Sequence, residues 1–181
     1  MFALMIFLIG LFTALGTGIL AGWSDFKGLT IPNLYSYVIA GAFTVTYILL
    51  WLFGRDDVFA SLFSHIVGAL IVFGVSAAMF AFKSLGAADS KLATAYALWM
   101  GVKGLFPFLF YMTLFGGLLG VSAILIRKYK PFESPPEGSW IAHLQAGESK
   151  VPYGIAITLG ALASFVNLGY FSKDVFVSFL L

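Results

Sequence analysis

MFALMIFLIGLFTALGTGILAGWS, residues 1–24, contains no charged side chain. A run of that length suits a helix crossing a hydrocarbon core of about 30 Å, and it is longer than the apolar part of a secretory signal. Nothing basic precedes it and no clear small-x-small cleavage site follows, so a retained membrane helix is expected. The remainder of the chain has the same character. Mean hydropathy is +1.00 and only 10% of residues are charged, which lies outside the range of soluble globular domains.

Residues 34–53 and 60–82 read as a second and a third span. His65, early in the third, reads as a packed or interfacial group rather than a ligand. Residues 87–126 would measure about 60 Å as one helix, too long for one crossing and enough for two short ones. The only polar break there is Gly101-Val102-Lys103-Gly104, which predicts a tight turn between a short helix at 88–100 and a longer one at 105–126. The short one either crosses fully or dips. Residues 127–150 form the one extended polar segment, within which 140–144 is either an interfacial helix or solvated loop. A sixth span follows at 151–171, and the tail at 175–181 is apolar enough to rest against the membrane. The expected fold is therefore an all-α integral membrane protein, one domain over residues 1–181 with about six transmembrane helices.

Six crossings put Lys27, Lys83, Lys91, Arg127, Lys128, Lys130 and Lys150 on one side, against Arg55, Lys103 and Lys173 on the other. The excess of basic residues predicts that the first side is cytoplasmic and that both termini lie outside.

Composition narrows the chemistry. A net charge of +2 with no basic run argues against nucleic acid as a partner. With no cysteine and only two histidines, His65 and His143, neither a thiol nucleophile nor a cysteine- or histidine-rich metal site is available. No metal and no cofactor are expected. Among the acids, Asp56 and Asp57 sit with Arg55 in a short outer loop, while Glu133, Glu137 and Glu148 lie in the polar loop and Asp174 near the tail. Asp25 and Asp89 differ, for each stands at a helix boundary on the cytoplasmic side beside small residues. They are either interfacial charges neutralised by Lys27 and Lys91 or a functional pair, since ionisable groups at membrane depth are costly and tend to be functional.

Gly10, Ala14, Gly18 and Gly22 recur every fourth residue, so they line one face of the first helix and permit close approach of a neighbouring backbone. Asp25 would fall on roughly that face if the helix continues. Gly86-Ala87-Ala88 leads into Asp89 with equally small side chains. Two carboxyls brought together cannot both ionise cheaply. The ionised one can take a proton from water while the protonated one polarises a peptide carbonyl.

Asp25-Phe26-Lys27-Gly28-Leu29-Thr30-Ile31-Pro32-Asn33 resembles the first-aspartate motif of type IV prepilin peptidases, an aspartate followed six positions later by Ile-Pro-Asn. Gly86-Ala87-Ala88-Asp89-Ser90-Lys91 resembles their Gly-x-Gly-Asp-x-Lys motif, and Lys150-Val151-Pro152-Tyr153-Gly154 their Val-Pro-Tyr-Gly stretch. The resemblance implies a six-helix membrane aspartyl protease with Asp25 and Asp89 as the catalytic pair. It also implies cleavage of the basic leader just before the apolar helix of a pilin precursor, with the pilus assembly machinery as a further partner. Ala88 replaces the family's second-motif glycine, which would matter if that position required positive φ. No cysteine-containing cytoplasmic domain is present, so the chain looks like the short, peptidase-only form serving Flp/Tad-type pili.

Pro32 and Asn33 read most simply as the start of helix two, and Pro152, Tyr153 and Gly154 as a structural opening of helix six. Lys27 and Lys91 are expected to reach headgroups or loop acids, because residues two apart do not share a helix face. Gly116 and Gly120 are expected to pack a helix within the fold. A preflagellin-type peptidase or a small ion-coupled transporter stands as the alternative, although a transporter would hold its acids near the bilayer midplane.

Overall fold

The structure is a computed structural model and describes residues 1–180. Seven helices follow in order, α1 (Phe2–Gly28), α2 (Asn33–Leu52), α3 (Leu62–Ala81), α4 (Ala87–Tyr129), α5 (Trp140–Gln145), α6 (Tyr153–Asn167) and α7 (Lys173–Ser178). Among the described residues α1 to α4 are long and apolar enough to cross a membrane, and α6 is a shorter apolar rod. The fold is a helical membrane bundle, as the composition requires.

α4 does not run straight. Gly101 has φ 56 and ψ −177, a left-handed conformation that breaks the helix into residues 87–100 and 102–129. The break is one residue, not the four-residue turn expected, because Val102 to Gly104 are already helical. Asp89 shares a cavity with Asp25, while Leu119 and Ile126 pack with Phe26 and Leu29. Both ends of α4 therefore return to the Asp25 end of the bundle, and Gly101 marks a reversal at the other. Six apolar rods result. The limb at 87–100 is about 21 Å long at 1.5 Å per residue, shorter than a full hydrocarbon core.

A reversal severs the helical bond between Leu98 O and Val102 N, and α3 replaces both halves. His65 Nδ1 lies 2.6 Å from Leu98 O, and Val102 N donates to Ser64 Oγ at 3.0 Å. Since a carbonyl can only accept, Nδ1 carries the proton. Gly68 lets the reversal lie this close, for a Cβ there would stand 3.0 Å from the carbonyl carbon of Gly101. His65 is thus a packed group, buried among Phe43, Tyr47 and Phe59. Changing His65 to Phe keeps the ring and strands the Leu98 carbonyl. Thermal unfolding of the purified protein is expected to register a loss of about 1–3 kcal/mol, and an unchanged transition would refute this account of the reversal.

The small-residue face of α1 is used as its spacing suggests. Gly10, Ala14, Gly18 and Gly22 are all buried. Side chains of Thr46, Tyr96 and Thr158 occupy the space where a Cβ on Gly10 or Gly18 would stand. Tyr96 from α4 donates to Ala14 O at 2.9 Å, and Thr158 from α6 donates to Gly18 O at 3.0 Å. The limb 87–100 therefore lies at the centre, with Tyr96 and Trp99 fully buried.

One helix boundary differs from expectation, the open reading of 140–144 resolves to a helix, and the tail packs on protein. α6 is Tyr153–Asn167 rather than 151–171, because Pro152 caps its start and left-handed Gly169 lets Tyr170 N turn back to Phe165 O. The 140–144 segment is helical, capped by Ser139, with Trp140 and Leu144 buried against α1 and α4. The apolar tail forms α7 and is anchored on protein, for Phe179 is buried on Phe7 beneath Arg55. Leu181 lies outside the described residues. Of the two glycines Gly116 and Gly120, only Gly116 meets a neighbour, the Tyr153 hydroxyl.

Candidate active site

Asp25 occupies the last turn of α1, which continues past Ser24 until Leu29 closes it in a left-handed cap. Its position on the small-residue face buries it, leaving 5% exposed. The backbone N–H of Gly154, in the first turn of α6, donates to Asp25 Oδ2 at 2.8 Å. Helix N-termini carry unpaired N–H groups and partial positive charge, so a carboxylate is well placed there. A side chain at Gly154 would crowd it. A Cβ would lie 3.1 Å from Asp25 Oδ2 and 2.9 Å from Ile31 Cδ1.

Asp89 occupies the first turn of α4, capped by Gly86 in an extended conformation. Its carboxylate turns back to accept the Gly86 N–H at 3.2 Å, as acids three residues past a cap commonly do. Here too a Cβ would intrude, 2.7 Å from Asp89 Oδ2. Ala88 has no such constraint. It lies within the helix, is absent from the positive-φ residues, and its methyl packs on the core. Alanine therefore meets no left-handed demand at this position.

The two carboxyls line one cavity of about 900 Å³, open at the end of the bundle. No other acid lines it. Glu148 pairs with His143 at 2.8 Å, and Arg55 holds the Asp57 carboxylate at 2.8 and 2.9 Å and below its ordinary pKa through those hydrogen bonds. Among the described residues no three His, Asp or Glu side chains gather as a metal site would need.

The motif residues divide by position. Tyr153 lines the cavity, and Pro152 and Gly154 set the start of α6. Pro32 caps α2, and Asn33 accepts a hydrogen bond from Lys91 Nζ at 3.0 Å. Lys91 thus ties the segment after Asp25 to the helix of Asp89 instead of reaching headgroups or loop acids. Lys27 turns away from the pair, its Nζ 5.2 Å from the centre of the Trp23 ring. Two cavity-lining cations, Lys83 and Lys150, carry no sequence signal beyond their nearness to motifs. Lys83 adopts φ 59, rare for a lysine.

A sequence model of the type IV leader peptidase family matches residues 11–121, a stretch holding both aspartates and ending before Gly154. No curated protein and no solved structure matches the chain.

Proposed function

This chain belongs to the type IV leader peptidase family, and from that premise we propose that Asp25 and Asp89 together hydrolyse the bond between a basic leader and the apolar helix of a pilin precursor. One observation carries the reading. Two carboxyls from distant parts of the sequence line the same cavity, each accepting a backbone N–H from a helix N-terminus. Two carboxyls facing one cavity can share a proton in the working state. The ionised carboxyl takes a proton from water as the water attacks the peptide carbon. The protonated one donates to the carbonyl oxygen; as the tetrahedral intermediate collapses it recovers that proton, and the carboxyl that took the water proton delivers it to the departing amine nitrogen.

The acids stand at one end of the rods, not at their middle, which favours a peptidase over an ion relay. The same end carries seven of the ten basic residues, supporting a cytoplasmic active site in an inner membrane protein. Short Flp/Tad-type precursors are the substrates we assign, with cleavage and no methylation, the whole described chain acting as one catalytic domain. The pilus assembly machinery would receive the product.

Co-expression with a Flp-type precursor is expected to convert it to the faster-migrating mature form, with a free amino terminus by mass spectrometry. Single cysteines in this cysteine-free chain should label from outside at exposed position 56 and not at exposed position 137 of the polar loop. Failure of any pilin precursor to be shortened would defeat the substrate assignment, and reversed labelling would defeat the orientation.

A further inference from the structure

On the lipid-facing side of the seam between α1 and α6 lies a groove of about 430 Å³. Gly18 and Gly22 of α1 leave it deep, Phe26, Ile155 and Leu159 wall it, and no charged residue lines it. A second hollow of about 360 Å³ adjoins the groove, sharing Leu20 and Trp23 with it. This hollow is polar where the groove is not, being lined by Ser24, Lys27, Thr30 and Tyr35. Lys27 has no carboxylate partner among the described residues, and it lies against Trp23.

The two hollows make one amphipathic site. Tryptophan and tyrosine beside lysine are characteristic of the membrane–water interface, and basic pockets beside membrane helices hold anionic headgroups. The groove shares no lining residue with the catalytic cavity, and the Gly154–Asp25 bond closes the seam between them. A peptide lying in the groove would be cut off from the carboxyls. A lipid needs no such access.

We propose that the groove and hollow together bind one anionic phospholipid, its acyl chain along Gly18, Gly22 and Leu159 and its phosphate at Lys27 and the Thr30 hydroxyl. The chain fills a slot that is otherwise poorly packed, and the phosphate gives Lys27 a counter-ion. Bound there, the lipid supports the α1–α6 seam from behind, on the side opposite the cavity that receives the Asp25 carboxyl.

Native mass spectrometry of the purified full-length protein, exposed to phosphatidylglycerol or phosphatidylcholine, tests this. The unaltered chain should retain one phosphatidylglycerol in preference to phosphatidylcholine. Lys27→Gln should lower phosphatidylglycerol retention about fivefold, the effect of one interfacial lysine. Leu159→Trp, which fills the groove, should lower retention of both lipids. Phe106→Trp, at an exposed position on another helix, should behave as the unaltered chain. A photo-reactive residue at position 159 should return a lipid adduct from intact membranes. Equal retention of the two lipids, retention indifferent to both site variants, or a crosslink from position 159 to a protein helix would each overturn the proposal.

Discussion

Replacing Asp25 or Asp89 with asparagine is expected to abolish leader removal, lowering kcat/KM by about 10³-fold or more while the protein still inserts and accumulates. Asparagine is nearly the same shape and its carbonyl oxygen can still accept the Gly154 or Gly86 N–H, so the bundle loses little. What disappears is the carboxyl that takes or gives a proton. On the proposed mechanism the two acids form one unit, so the double variant should be scarcely worse than either single one. Aspartate to glutamate should fail as well, since a displacement near 1 Å can cost about 10²-fold when groups are positioned for reaction. Asp57→Asn is the control, being occupied by Arg55 at the opposite end of the bundle. Chelators should have no effect if the pair works without a metal. Cleavage of a quantitatively expressed precursor by the Asp89→Asn protein at the unaltered rate would end the aspartyl-protease reading.

Gly154→Ala should cost less than a lost carboxyl yet still about 10²-fold in kcat, with KM little changed. The added methyl would stand 3.1 Å from Asp25 Oδ2 and 2.9 Å from Ile31 Cδ1. Either α6 backs away and its N–H no longer reaches Asp25, or the carboxyl rotates out of the cavity. Both outcomes spoil the pair without removing it. Overpacking of this kind should also lower thermal stability by about 1–3 kcal/mol. Gly86→Ala presses on Asp89 in the same way, at 2.7 Å. Gly41→Ala in α2 meets nothing within 4 Å and should be neutral. The test is steady-state kinetics on a purified precursor. If Gly154→Ala cleaves at the unaltered rate with unaltered KM, the Gly154–Asp25 contact has no part in catalysis.

Much of the architecture was legible before any coordinates. Burying peptide groups in hydrocarbon forces them into helices, so uncharged runs declare the rods, and their length against the bilayer declares how many. The small residues of α1 announced a close-packed face because absence of a side chain is visible in one dimension. Asp25 and Asp89 could be singled out by elimination and motif, for few other chemical groups exist in the chain.

Other features depended on distance in space. Lys91 reaching Asn33 across 58 positions, and Gly154 donating to Asp25 across 129, pair groups whose partners no local pattern encodes. The Val-Pro-Tyr-Gly stretch read as a structural helix start, and it is one, yet its Gly154 N–H falls on a carboxylate only because α6 packs beside α1. Gly101 showed a similar limit. Its neighbourhood promised a turn, whereas the reversal takes a single residue because His65 and Ser64, from another helix, respectively donate and accept in place of the broken helical bond. Hydropathy and side-chain size are properties of each residue, so the sequence by its pattern declared a bundle of apolar helices with Asp25 and Asp89 at helix boundaries on one end. Which backbone groups hold those acids came from packing in three dimensions, since a hydrogen bond is directional and its partner is chosen by what lies beside it.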